Sequence, residues 1–173
     1  MKNILILCTA NSARSILGEA ILAKLGEGRV NAFSAGSTPR GTPNPDGIAL
    51  LKDYGHDTSG LRSKYWEEFE GPDAPKMDIV ITVCDNAAGE TCPIWPGAPV
   101  QAHWGIADPA GRGETDQERR AAFAETYRLL EARILALMAL PFEEMNPKDL
   151  KAALNTIGAM EGATDLAVSY ATS

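Results

Sequence analysis

The stretch Leu5–Ser15, LILCTANSARS, is an apolar run that stops at a cysteine, passes into small and polar residues, and reaches an arginine six positions later. Taken from its start, KNILILC has the length and composition of a buried strand. The following SILGEAILAKLGEG switches to helical spacing, with Ile16, Ala20 and Ala23 beside Leu17, Ile21 and Leu25, and Gly26 to Gly28 ends it. Cys8 therefore sits between a strand and a helix. It is either a small hydrophobe buried at a strand end or a nucleophile in a loop that holds an oxyanion.

The alternation continues outward. VNAFSAG reads as a second strand, and STPRGTPNPDG as a loop with Asn44 as helix N-cap and Pro45 at the first helical position. PDGIALLKDYG is a helix stopped by Gly55, and SKYWEEFEG a short helix. MDIVITVC is a third strand that again ends on a cysteine, and APVQAHW a fourth. TDQERRAAFAETYRLLEARILALMA is a long amphipathic helix, with Thr115 and Glu118 spaced as a capping box. The expected fold is α/β: a three-layer, doubly wound sheet of about four parallel strands with helices on both faces. Ligands of such sheets sit at strand carboxyl ends, where Cys8, Cys84 and the loop after AHW all fall. Residues 1–140 form the expected domain. Residues 141–173, with NPKDLKAALNTIG as a short helix and a weakly patterned end, are expected as an appended helix and tail, not a separate domain.

The chain has 173 residues and a net charge of −7, so a general binder of nucleic acid or anionic membrane is not expected. A local cation in a cleft still permits an anionic substrate. The apolar start is too short for a signal peptide, and no stretch suits a membrane span. Three cysteines fit no disulfide framework. The expectation is a cytoplasmic, monomeric protein whose thiols are inert or chemically active.

The loop's chemistry is specific if Cys8 is active. A thiolate at a helix N-terminus is stabilised by unpaired N–H groups, and those same groups form a nest for a tetrahedral anion. Arg14 adds a bidentate fork. Asn11 would brace the backbone and Ser15 would donate to the sulfur. The anion would lie on Thr9, Ala10, Asn11, Ser12, Ala13, Arg14 and Ser15, with Cys8 attacking the central atom of phosphate or arsenate. Far along the chain, HWGIADPAG presents Asp108 on a turn as a general acid for a leaving oxygen. His103 and Trp104 either orient Asp108 or pack at the strand end. His56 reads as a solvated loop residue, and Trp66 and Trp95 as core before site wall.

CTANSARS together with the distant ADP resembles the low-molecular-weight protein tyrosine phosphatase family, over about the first 140 residues. The resemblance implies Cys8 as nucleophile, Arg14 as anion-holding arginine and Asp108 as general acid.

VCDNAAGETCP then places Cys84 at the third strand's end and Cys92 eight residues on, across a small, polar segment. These are incidental thiols, or partners that attack a Cys8 adduct and pass a disulfide outward. A zinc site of Cys84, Cys92 and His103 lacks a fourth ligand and a usual spacing. The stretch VCDNAAGETCPIWPG with AHWGIADPA is similar to the arsenate reductases that share the phosphatase fold. That resemblance implies reduction of arsenate to arsenite through Cys8–Cys84 and then Cys84–Cys92 disulfides. It implies an external reductant, thioredoxin before glutaredoxin, glutathione or another small thiol, no bound cofactor, and phosphate or sulfate as competing anions. A phosphatase and a non-catalytic oxyanion-binding module are the alternatives.

Three positions depart from these families. Ala10 stands where many relatives have glycine. Ala110 and Gly111 follow the Asp-Pro where phosphatases commonly carry an aromatic. Some reductases of this fold bind potassium beside the loop. Asn11, Glu19 and Ser34 match that site, but Arg62 and Lys64 stand where further oxygen ligands would be, so a side-chain cation, Lys64, is expected in place of a metal.

Overall fold

The computed structural model describes residues 1–90 and 95–172. Strands β1 (Lys2–Cys8), β2 (Val30–Gly36), β3 (Ile79–Thr82) and β4 (Val100–His103) form one parallel sheet in the order β2-β1-β3-β4. Helices α1 (Arg14–Leu25), α2 (Pro45–Asp53), α3 (Asp85–Gly89), α4 (Asp116–Met138), α5 (Pro147–Gly158) and α6 (Asp165–Thr172) complete the described elements, with a 3-10 turn at Trp66–Phe69.

Alternation along β1 assigns its two faces. Ile4, Ile6 and Cys8 join the larger core, with Leu17 and Ile21 of α1, Phe123, Leu130 and Ile134 of α4, and Leu150, Leu154 and Ile157 of α5. Leu5 and Leu7 face the other way, onto Phe69, Met77 and Trp95. Among the described residues that second layer is thin, built from the 3-10 turn and an edge-to-face pair of Trp66 and Trp95 at 6.3 Å. Trp95 is buried there, as a core residue.

Local signals acted as the sequence suggests. The Asn44 side chain accepts from the Asp46 N–H with Pro45 at the first helical position, and the Thr115 side chain accepts from Glu118 N–H. Two segments differ. β3 ends at Thr82, so Cys84 lies past the strand and is the N-cap of α3, its sulfur accepting from Ala87 N–H at 3.4 Å. The weakly patterned C-terminal stretch forms α6, whose Ala167 is fully buried.

The sheet order fixes the site. β1 is flanked by β2 and β3, so chain connections leave it in opposite directions and a crevice opens at its carboxyl end. The register aligns Cys8 with Gly36, and Leu7 with Thr82. Cys8 and Cys84 emerge into one crevice for this reason.

Candidate active site

The loop after β1 is held from outside through its own carbonyls. Thr38 N–H donates to Thr9 O at 2.9 Å, Arg40 N–H to Ala10 O at 3.0 Å and Asn44 N–H to Ser12 O at 2.8 Å. With those oxygens turned outward, the loop's N–H side is left to the cavity. Asn11 makes the turn at φ 45°, a left-handed conformation that asparagine tolerates. Ala10 is not in that region, so alanine in place of glycine costs nothing there. Asn11 is fully buried; its Nδ2 donates to Ser15 Oγ at 2.8 Å and Ser34 Oγ at 3.0 Å, and its Oδ1 accepts from Lys64 N–H at 2.8 Å. Ser15 Oγ is thus met by Asn11, the brace, and the N–H that lies against the Cys8 sulfur is that of Ala10.

A cavity of about 150 Å³ is lined by Cys8, Thr9, Ala10, Ser12, Ala13, Arg14, Cys84 and Asp108, among others. Arg14 Nη1 donates to Ile106 O at 2.9 Å, and Nη2 lies 3.7 Å from Asp108 Oδ2. Its buried Nε has no partner among the described residues. One edge of the guanidinium is therefore anchored, while an inner N–H remains for an anion oxygen. Asp108 is half exposed and its Oδ1 accepts from Ala110 N–H at 3.0 Å, which aims the other oxygen toward Arg14.

The two thiols are buried at 5% and 3% exposure and both line this cavity. Hydrogen bonding from the Cys8 thiol is the largest cause that lowers Cys84 to about 5; Thr9, Ala87 N–H and Arg14 add to it against burial. The same bond, then burial and the Cys84 charge, raise Cys8 well above the ordinary thiol value, while Arg14 and the Ala10 N–H oppose them. The pair holds one proton between two sulfurs. Thr9 Oγ1 lies 3.5 Å from Cys84 Sγ and 3.2 Å from Glu90 Oε1.

Cys8, Arg14, Cys84, Asp108 and the loop residues Thr9, Ala10, Ser12 and Ala13 thus line one cavity, whereas Asn11 and Ser15, expected on the anion, are fully buried and are not among its lining residues. Cys92 lies outside the described residues. Sequence reasoning missed Arg40 and Asn86, which also line the cavity, since neither stands at a telling spacing. It missed Gly36, where a Cβ would strike the Thr9 carbonyl oxygen and come within 3.0 Å of Asn11 N; the only signal was a strand ending on glycine. His103 was expected to orient Asp108 or to pack. It is buried, and its ring bonds Thr82 Oγ1 at 2.7 Å and Asp85 Oδ1 at 2.8 Å, not Asp108. His56 is half-buried and bonded to Tyr127 Oη at 2.7 Å rather than solvated, because the helix stop at Gly55 folds it back onto α4.

Residues 3–152 match the model of the low molecular weight phosphotyrosine protein phosphatase family. The chain belongs to this family. An arsenate reductase of Halalkalibacterium halodurans is 35% identical over 133 residues, which cover 77% of this chain and 92% of that protein. A solved structure of an arsenate reductase in the phosphate binding state is 27% identical with TM-score 0.57, covering 78% of this chain and 98% of that one. A low molecular weight phosphotyrosine phosphatase of Vibrio cholerae O395, 20% identical, shares the fold at TM-score 0.64 over 83% of this chain and 98% of that one.

In this phosphatase-family scaffold a lysine ammonium occupies the position where some reductases of the fold hold potassium. Lys64 Nζ donates to Arg62 O at 2.9 Å and lies 3.4 Å from Ser34 Oγ and 3.5 Å from Glu19 Oε1. Ser34 Oγ–H in turn donates to Glu19 at 2.6 Å. An ammonium already meets these oxygens, and they do not fit a metal ion. Arg62 points elsewhere, onto Glu68.

Proposed function

We propose that this chain reduces arsenate to arsenite with Cys8 as nucleophile and Cys84 and Cys92 as a disulfide relay. The observation that carries this is the Cys8–Cys84 thiol pair at the floor of an oxyanion cavity that also holds Arg14. A hydrolase needs only the first thiol, and water would finish its work. A second thiol sharing a proton with the first is placed to intercept the adduct instead.

Cys84 takes the proton of Cys8, and the Cys8 thiolate attacks arsenic while the loop N–H groups and the Arg14 fork hold the oxygens. Asp108 protonates the departing oxygen, which leaves as water. Cys84 loses its proton to solvent, which also reprotonates Asp108, and attacks the Cys8 sulfur; the S–S bond forms as the S–As bond breaks, and its electron pair stays on arsenic. Two thiols become a disulfide while arsenic(V) becomes arsenic(III), leaving as arsenite. Cys92 attacks Cys84, which frees Cys8, and an external dithiol, thioredoxin in our reading, reduces the Cys84–Cys92 bond. We read the chain as a cytoplasmic monomer; no helix among the described residues is long and apolar enough to cross a membrane.

Arsenate-dependent NADPH oxidation through thioredoxin and thioredoxin reductase tests the scheme. Wild type is expected to turn over, and Cys84→Ser and Cys92→Ser to lose that turnover. Full turnover in both variants would overturn the relay. Efficient phosphotyrosine hydrolysis without arsenate reduction would select the phosphatase, a reading disfavoured by Ala110 and Gly111 where an aromatic would grip the substrate ring.

A further inference from the structure

The family match ends at residue 152, yet the chain continues through an ordered turn and α6. This continuation is fastened to α4 and to the segment that anchors Arg14 at several independent points. The fully buried Arg133 donates to Met160 O and Glu161 O, both at 3.0 Å. Gly162, at φ +84°, packs where a side chain would strike Leu129. Ala163 then forms an isolated antiparallel bridge with Ile106, whose carbonyl anchors Arg14, and Thr164 N–H donates to Gly105 O at 3.0 Å.

Thr164 reaches further. Its Oγ1 donates to Asp85 Oδ1 at 2.8 Å, the same oxygen bonded to His103 Nε2. A carboxylate only accepts, so Nε2 carries a proton, and Thr82 Oγ1 meets the ring's other nitrogen. The three polar groups converge over Gly105, where a Cβ would collide with Asp85, His103 and Thr164 at once. Asp85 is the first residue of α3 and directly follows Cys84. The ring of Tyr170 on α6 lies 5.2 Å from that of His103, on the same network.

We propose that Thr164 is a positioning residue for the capture step: through Asp85 it holds the start of α3, and with it Cys84, against Cys8. The continuation beyond the family match thereby sets the geometry of a thiol it never touches. This rests on the relay proposed above, in which Cys84 must meet the arsenic-bearing sulfur at once or lose the adduct to water.

The test uses the full-length, pre-reduced chain with excess arsenate and no external reductant, and measures the rate of arsenite release in one turnover. Thr164→Val keeps the shape and removes the hydroxyl, which donates to Asp85 and also accepts from Ala167 N–H at 3.2 Å; release is expected to slow about tenfold, the scale of a small misplacement of a reacting group. The arsenate concentration for half-maximal rate should stay unchanged, because the anion loop is untouched. Thr164→Ser should restore the rate. Asp85→Ala, which removes the acceptor of both Thr164 and His103, should slow release at least as much as Thr164→Val, and the double variant should be no slower than Asp85→Ala alone. A wild-type rate in Thr164→Val, failure of Thr164→Ser to rescue, a raised half-saturation, or additive losses would each overturn the proposal. Cys84→Ser run in parallel separates the two readings. If it releases arsenite at the full rate the relay itself is wrong; if it releases none while Thr164→Val is unaffected, only the positioning role fails.

Discussion

Two sulfurs with one proton make the reactivity of Cys8 depend on its neighbour. Cys84 is depressed to about 5 chiefly by the bond from Cys8, so one thiolate persists above about pH 5 and is lost as pH falls through that value. Removing the neighbour removes the leading causes of the Cys8 elevation and leaves Arg14 and the Ala10 N–H, which favour the thiolate. Alkylation of Cys8 in Cys84→Ser should therefore begin at lower pH than in wild type. A midpoint that stays put or rises would mean that Cys84 is not the acceptor. Cys8, Arg14 and Asp108 were legible because their chemistry leaves marks in sequence: a thiol at a strand end, a cation at a fixed offset, an Asp-Pro turn. Arg40, Asn86 and Gly36 were not, since each acts through where the chain is carried rather than what surrounds it in sequence.

Among the elements that border the site, α3 was concealed in the sequence. DNAAGET offers no apolar periodicity and too few residues for a helical stripe, so its helical turn depends on the Cys84 cap and the Asp85 bonds made across the sheet. The strands were plain because a parallel sheet buried on both faces requires unbroken apolar runs. At the join of α1, β2 and the Asn11 turn the sequence suggested Lys64 in place of a metal, without showing how its partners would be arranged. Lys64, 8% exposed, is paired there with Glu19, 14% exposed. Exchange of potassium for sodium should leave turnover unchanged, and Lys64→Ala, which strands the Glu19 charge, should cost on the order of 3 kcal/mol in denaturant unfolding. Strong potassium stimulation of the wild type would overturn the substitution of a side chain for a metal.

For the whole molecule, the sheet's outer edge is where the C-terminal part matters. α5 covers Trp104, which is fully buried and donates from Nε1 to Leu154 O at 2.8 Å, while Asn155 Oδ1 accepts from His103 N–H. Phe142, Leu150, Leu154 and Ile157 belong to the main core. Each such side chain contributes about 1.5–3 kcal/mol, and together they rival the whole stability of a typical domain. We therefore expect a chain ending after Leu140 to show no cooperative thermal transition by circular dichroism, and one ending after Gly158 to keep it at a lower Tm. Cooperative melting of the shorter chain would make residues 141–173 dispensable. The sequence marked α5 through its Asn146-Pro147 start, whereas α6 was hidden because its order comes from contacts with Gly105, Ile106 and Asp85 rather than from its own pattern. The tethers that shape the anion loop are different in kind. Thr38 and Arg40 grip it with main-chain N–H groups, a hold indifferent to which side chain each position carries. Substitutions other than proline can therefore accumulate at Thr38 over generations while the loop it shapes is inherited intact, whereas Arg40 also lines the cavity and Gly36 must carry no side chain.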